Sequence, residues 1–307
     1  MPKQTRKTAS DFDPEVMRLF DQYVHGKIDR RGFLGSVARF AVGTSTAAGL
    51  LAALSPNFAD AQQIKPDDSR LVTRTLQFPS PDGYGTGSGY LARPVKSDGP
   101  LPVVLVVHEN RGLNPHIEDV TRRLALEGYI AFAPDALFPL GGYPGNEDKA
   151  RELFPKLDQA KTRQDFLAAA KLLSSIEGGN GRMGVVGFCY GGGMANFLAT
   201  QLPDLTAAVP FYGRAPDLDA VAAINAELLV VMAANDERIS AAWPDYEKAL
   251  KKSNVRYSVY QPEGTQHGFN NDTTPRYDEA AASEAWKRML ALFNKALGQG
   301  QPADGGA

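Results

Sequence analysis

Cysteine is almost absent from this sequence: its 307 residues contain one, Cys189. A single thiol excludes an intrachain disulfide and every cysteine-rich zinc or iron–sulfur site. Histidine is nearly as scarce. His25, His108, His116 and His267 include no pair four residues apart, the spacing of a zinc-protease helix, so neither a metal site nor a cofactor is expected. Charge is not in excess either. A net charge of −2 gives no reason to expect nucleic acid or an anionic membrane surface as partner. A long apolar run is also missing. The Ala/Gly/Leu-rich stretch from Phe40 to Leu54 is shorter than the roughly twenty residues that span a bilayer, so no stable membrane span is expected.

What is there divides into three parts. Before Gln62, a charged stretch with Arg30-Arg31-Gly32-Phe33-Leu34 precedes the mildly apolar run, and Ala59-Asp60-Ala61 follows it. Paired arginines, a bulky apolar pair, a short hydrophobic core and a small-x-small ending are the parts of a twin-arginine export signal. Residues 1–61 are therefore expected to be a leader, cut after Ala61 and read by the twin-arginine export machinery, which puts the remaining chain in the periplasm or outside the cell. The competing reading is a retained amphipathic helix, because Phe12, Val16, Leu19, Phe20 and Tyr23 also have helical spacing. Residues 62–297 form the body, and the Gly/Gln/Pro-rich residues 298–307 read as a disordered tail.

With 43% hydrophobic residues the body can bury one large core. Leu71–Phe78 and Gly89–Arg93 read as strands joined by a Gly-rich hairpin, Pro79–Ser88. Leu101–Val107 is apolar throughout, as a parallel strand covered on both faces must be. Shorter runs follow at Tyr129–Ala133, Met183–Val186, Ala207–Phe211, Leu228–Ala233 and Tyr257–Tyr260. Helical stripes lie between them, such as Ile117/Val120/Leu124, Phe166/Leu167/Ala170/Leu173 and Trp286/Leu290/Phe293/Leu297. The alternation specifies an α/β fold with a doubly wound, mostly parallel sheet and helices on both faces, its site beyond the carboxyl ends of the strands.

Cys189 sits in Gly187-Phe188-Cys189-Tyr190-Gly191, after a strand and before a helix expected over Met194–Gln201. This is the G-x-nucleophile-x-G elbow of the α/β-hydrolase fold with sulfur in place of oxygen. Its glycines fit a turn too tight for side chains, and its helix N-terminus favours a thiolate. A buried packing thiol is the alternative. The N–H of Tyr190 is placed to hold an oxyanion. Acid and base should follow in chain order. Asp236 lies just past Leu228–Ala233, with a helix N-cap as its other reading and Glu237 as a competing acid. His267 is the only histidine after Cys189. The loop His108-Glu109-Asn110-Arg111-Gly112 should supply a second oxyanion donor, the N–H of Asn110. Glu109 is an awkward neighbour, since its charge disfavours a thiolate; it reads otherwise as a surface partner of Arg111.

These motifs, with Pro210-Phe211-Tyr212-Gly213-Arg214 and His267-Gly268-Phe269, resemble the dienelactone hydrolase (carboxymethylenebutenolidase) family from about Leu71 to Leu297. The resemblance implies a Cys189–His267–Asp236 triad acting on small esters or lactones through an acyl-enzyme, with Glu109 touching the thiol in the resting enzyme. One departure stands out. The family holds a substrate carboxylate with arginines, one shortly after the catalytic histidine, whereas Asn270 and Asn271 follow Phe269 here. Arg214 or Arg276 is left to substitute, or to be solvated or capping. Tyr212, like Tyr143, Trp243 and Phe269, lines a pocket or packs the core. Two other functions are carried forward: an esterase or thioesterase for a different acyl group, and a catalytically silent binding protein on the same scaffold.

Overall fold

The computed structural model describes residues 7–41, 46–298 and 300. The expected tail, residues 298–307, lies almost wholly outside the described residues. The body is one eight-stranded sheet ordered β1-β2-β4-β3-β5-β6-β7-β8. Its strands are β1 (Leu71–Ser80), β2 (Gly85–Pro94), β3 (Leu101–Val107), β4 (Ile130–Pro134), β5 (Gly179–Phe188), β6 (Leu205–Phe211), β7 (Glu227–Val231) and β8 (Tyr257–Tyr260). The β1–β2 and β2–β4 pairings are antiparallel and the remaining pairings are parallel. All seven residues of β3 are buried, which is why their sequence shows no polar alternation.

The helices of the body are α5 (Pro115–Leu126), α6 (Glu147–Leu153), α7 (Gln159–Ser174), α8 (Tyr190–Gln201), α9 (Glu237–Ser240), α10 (Trp243–Lys252) and α11 (Glu279–Leu297). Their starts follow capping chemistry. Asn114 accepts from Ile117 N with Pro115 at the first helical position, and Asp158 and Asp278 cap α7 and α11. Phe166, Ala170 and Leu173 of α7, with Met194 and Leu198 of α8, cover one face of the sheet. Ile117, Val120 and Leu124 of α5, with Met289, Phe293 and Leu297 of α11, cover the other. The sheet is therefore doubly wound, and the winding reverses between β3 and β5. A crevice opens there beyond the strand ends.

Two expectations need correcting. The hairpin joins β1 and β2 as expected but turns within a shorter connection than Pro79–Ser88, because the two strands stay paired as far as Ser80 and Gly85. Its glycines serve packing: a Cβ on Gly87 would lie 2.2 Å from the Phe78 ring. The helix after Cys189 starts at Tyr190, four residues before the expected start, since its glycines are the residues pressed against neighbouring backbone.

Ahead of the body, four short α-helices stand among the described residues, α1 (Pro14–Val24), α2 (Arg30–Val37), α3 (Ala47–Leu54) and α4 (Phe58–Ala61). Phe12, Val16, Phe20, Tyr23, Phe33, Val37, Leu51 and Leu54 form a separate apolar cluster among them. No helix among the described residues is long and apolar enough to cross a membrane. The unit docks on the body. Tyr23 and Arg30 reach Asp148, Arg151 lies 4.0 Å above the Tyr23 ring, and Asn57 N donates to Thr273 O.

Phe33 is fully buried in this small cluster. Phe33→Ala should lower the opening free energy of α1–α3 by about 3 kcal/mol, the usual cost of emptying a phenylalanine site. Hydrogen exchange should then show faster exchange in α1–α3 and unchanged protection in β3, β5 and β6.

Candidate active site

β5 ends in a strained turn. Cys189 has φ 55 and ψ −109, a conformation a side-chain-bearing residue adopts only when its surroundings force it. The surroundings are backbone. A Cβ on Gly187 would lie 2.0 Å from Gly191 O, and one on Gly191 would lie 2.2 Å from Val107 O. Hydrogen bonds from Cys189 N to Phe211 O and from Gly193 N to Cys189 O fix the turn between β6 and α8. Tyr190 N opens α8 and is one of the helix's first N–H groups, which the helix itself leaves unpaired.

Asp236 and His267 are brought together by a short extension of the sheet. Beyond β7 and β8, Asn235 and Gln266 form an isolated parallel bridge, and Asn235 N donates to Thr265 O. Asp236 and His267 are the next residues on the two chains. His267 Nδ1 lies 2.5 Å from Asp236 Oδ2, and both side chains are buried. Asp236 does precede α9, but its side chain caps nothing there. Its carboxylate is committed to the imidazole.

The β3 loop carries the remaining expected residues. His108 Nδ1 meets Glu109 O at 2.6 Å while its Nε2 accepts from Ala136 N, which ties the loop to the end of β4. Burial lowers the pKa of His108 and keeps it neutral, as an accepting Nε2 requires. Glu109 meets neither the thiol nor Arg111. Its Oε2 accepts from Asn271 Nδ2 at 2.9 Å. Arg111 pairs instead with Glu147 at 3.7 Å.

The thiol's partner is a residue that reading the sequence missed. His25 Nε2 lies 3.8 Å from Cys189 Sγ. The chain places it there through the end of α1. Gly26, at φ 72, closes the helix, and Lys27 N donates to Gln22 O, the wide hydrogen bond of a Schellman end. The adjacent Val24 carbonyl accepts from Asn110 Nδ2 at 3.2 Å and from Arg111 Nη2 at 3.1 Å. His25 Nδ1 faces Asp21, 2.8 Å from its carbonyl and 3.1 Å from its carboxylate. The Asp21/His25 spacing of four on one helix face was a visible signal. It was passed over because both residues fell inside the expected leader.

Two carboxylate-backed imidazoles thus flank one sulfur. Arg238 Nη2 lies 3.2 Å from His25 Nε2 and 3.3 Å from His267 Nδ1. Sγ and one nitrogen of each histidine lie within 4.8 Å of one another, a donor set that a soft divalent cation could use. The positive charge of Arg238 beside both rings opposes such an ion. Burial raises the pKa of Cys189, but the charge on His267 and the hydrogen bond from His25 outweigh it and bring the thiol to about 5. Burial lowers that of His267, and Cys189 with Asp236 more than reverses this, to about 9. The resting pair between these values is thiolate and imidazolium.

A cavity of about 810 Å³ reaches the sulfur, lined by His25, Lys27, Arg163, Tyr212, Arg214 and Arg238 among others. Arg214 and Tyr212 are therefore in the crevice. Arg276 is not where the sequence placed it. It lies 3.7 Å from Asp21 and 5.5 Å above the Phe20 ring, against α1 and away from the cavity lining. Phe269 packs the core, Trp243 stands edge-on to Tyr246 and Tyr257, and Tyr143 donates to Glu147.

Comparison with known proteins gives three kinds of likeness. Residues 88–297 match the Dienelactone hydrolase family, and residues 4–42 match a second family, described as YqhI-like. A candidate carboxymethylenebutenolidase of Escherichia coli (strain K12) is 33% identical over 266 residues, 82% of this chain and 97% of that protein. A candidate hydrolase fragment of the same organism, YghX, is 54% identical over 113 residues, 37% of this chain and 97% of the fragment. The crystal structure of a candidate dienelactone hydrolase from Klebsiella pneumoniae subsp. pneumoniae MGH 78578 superposes with a TM-score of 0.65 at 32% identity, covering 73% of this chain and 99% of that one.

The charge arrangement has a measurable consequence. Thiolate is present above the lowered thiol pKa, so alkylation of Cys189 by iodoacetamide should fall to half its plateau only near pH 5, the value given for this thiol. An ordinary cysteine would give a midpoint near 8.5.

Proposed function

The chain belongs to the dienelactone hydrolase family, and from that premise we propose that it hydrolyses small carboxylic esters or lactones through a Cys189–His267–Asp236 triad. The observation that carries this reading is the strained elbow, which presents a thiolate at a helix N-terminus within reach of an imidazole whose far nitrogen is held by a buried carboxylate.

The steps follow from these groups. Cys189 Sγ attacks the acyl carbon, and the carbonyl oxygen, now negative, is held by the N–H groups of Tyr190 and Asn110. His267 gives its Nε2 proton to the leaving alkoxide as the C–O bond breaks, leaving a thioester on Cys189. Water then adds to that carbonyl carbon and its proton passes to His267. The C–S bond breaks, releasing the acid and restoring the thiolate beside an imidazolium. Asp236 stabilises the imidazolium and holds its orientation throughout. Glu109, held by Asn271, has no part in the resting thiol contact and is free to act only if Asn271 releases it.

The crevice lining favours anionic substrates. Lys27, Arg163, Arg214 and Arg238 face it together with one carboxylate, that of Asp217. Arg214, one of the cavity's arginines, is assigned to a substrate carboxylate, and Tyr212, its ring centroid 4.8 Å from that of His267, lines the same cavity. An esterase or thioesterase for a longer acyl chain uses the same machinery, and the size of the cavity leaves room for it.

We also propose that residues 1–61 address the chain to twin-arginine export, giving a periplasmic or secreted enzyme. The support is the Arg30-Arg31 pair followed by the short apolar helix α3, in a protein whose leader folds with its body.

Cys189→Ala should abolish turnover of p-nitrophenyl acetate and of a dienelactone, with the melting temperature unchanged to within a few degrees. A silent binding protein would show no turnover in the wild type. Turnover undiminished in Cys189→Ala would reject the nucleophile.

A further inference from the structure

The proposed triad leaves one imidazole unused, although that imidazole is the group hydrogen-bonded to the nucleophile. His25 is the C-cap of α1, more than 160 positions before Cys189 in the chain, yet its side chain is only 11% exposed and its Nε2 faces Sγ. Its surroundings repeat those of His267. A carboxylate lies at Nδ1 of each ring, Asp21 at 3.1 Å and Asp236 at 2.5 Å, and the two rings stand edge-on with centroids 4.9 Å apart.

Every element packed around His25 contributes a charged or polar group. Asp21 lies on its own helix, Cys189 at the start of α8, Arg238 on α9 and His267 on the loop after β8. Arg276 faces Asp21 from behind. Burial lowers the pKa of His25, but hydrogen bonds to Asp21 and Cys189 more than reverse this, so the ring gains a proton more readily than a free histidine.

A covering role was the competing explanation, with α1 stoppering the site. The cavity decides against it. His25 and Cys189 line the same cavity, and Cys189 as a residue is only partly buried with α1 in place. The ring is a wall of the working crevice. Its anchoring is equally specific, since Asn110 and Arg111 of the oxyanion loop both hold the Val24 carbonyl next to it.

We propose that His25 is a catalytic residue of this hydrolase, a second carboxylate-backed imidazole that hydrogen-bonds the Cys189 sulfur, so that residues of α1 belong to the active site. This rests on Cys189 being the nucleophile. In the resting enzyme the thiolate is stabilised by the charge of the His267 imidazolium and by the contact with His25 Nε2. In acylation the sulfur's electron pair forms the S–C bond, while the proton of His267 leaves with the alkoxide and His25 keeps its own. In deacylation the C–S bond breaks, and its electron pair returns to a sulfur that His25 Nε2–H already faces. The thiolate is thereby made a better leaving group, while His267 takes the proton from water. No oxidant or further reactant is needed. A cut after Ala61 would remove this residue, so the active form retains the segment.

The test uses the full-length chain in buffer containing EDTA and compares wild type, His25→Gln and Asp21→Asn, with Cys189→Ala as control. Iodoacetamide alkylation against pH reads the thiolate. Steady-state hydrolysis of p-nitrophenyl acetate reads catalysis. His25→Gln should move the alkylation midpoint up by about one pH unit or more, as loss of a neighbouring positive charge requires. Its kcat at pH 7 should fall about tenfold or more with little change in KM. Asp21→Asn, whose site is half exposed, should move both in the same direction by less. A residue that merely packs would leave the midpoint in place.

An unchanged midpoint and kcat in both variants would overturn the proposal. So would faster alkylation and higher turnover, the signature of a stopper. If Cys189→Ala remains active, the earlier reading fails and this one with it. If Cys189→Ala is dead while the His25 and Asp21 variants match wild type, this inference alone fails.

Discussion

The site depends on keeping a negative sulfur stable where protein has displaced much of its water. Desolvation alone would push the thiol pKa up and leave Cys189 an inert packing residue. Two imidazoles and a helix N-terminus reverse that, and each is supplied by a different part of the chain. The helix end comes with the elbow, His267 from the loop after β8, and His25 from α1. Burial works against the charge on each imidazole, and the sulfur together with the carboxylate behind each ring restores it. The requirement therefore propagates outward, from sulfur to ring to Asp21 and Asp236.

Rigid backbone supports those groups. Gly187, Gly191 and Gly192 sit where any Cβ would collide with backbone of the turn itself, of β3 or of β6, so the elbow is packed from several sides at once. That packing holds Cys189 at a positive φ at a cost of order 1–3 kcal/mol. The bridge between Asn235 and Gln266 does the same work for the buried carboxylate–imidazole pair, extending the parallel pairing of β7 and β8 just far enough to set Asp236 beside His267. The sheet thus determines the separation of the three groups, and the loops adjust only their orientation.

The body of this protein was legible in its sequence, for physical reasons. Strands buried on both faces have to be apolar without alternation, as Leu101–Val107 is, and helices against a sheet have to carry a stripe, as α5 and α7 do. The elbow was legible because close backbone packing permits only glycine. The error over Pro79–Ser88 has the same root. Glycine marks close approach as well as turning, and there it admits the Phe78 ring. Arg276 and Glu109 were misplaced because their partners, Asp21 and Asn271, are tertiary neighbours that no local pattern announces. His25 was missed for a different reason. Its helix was read by composition as an address label, and composition is blind to what a helix end faces once docked.

The central claim is that a covalent acyl intermediate forms on this one sulfur. Acid-quenched protein, taken from steady-state hydrolysis of an activated ester and digested for peptide mass spectrometry, tests it directly. The account predicts a single acyl group, carried by the peptide containing Cys189 and discharged on chasing with buffer. An enzyme that turns over while remaining unmodified, or one acylated at a different residue at a kinetically competent rate, would contradict it.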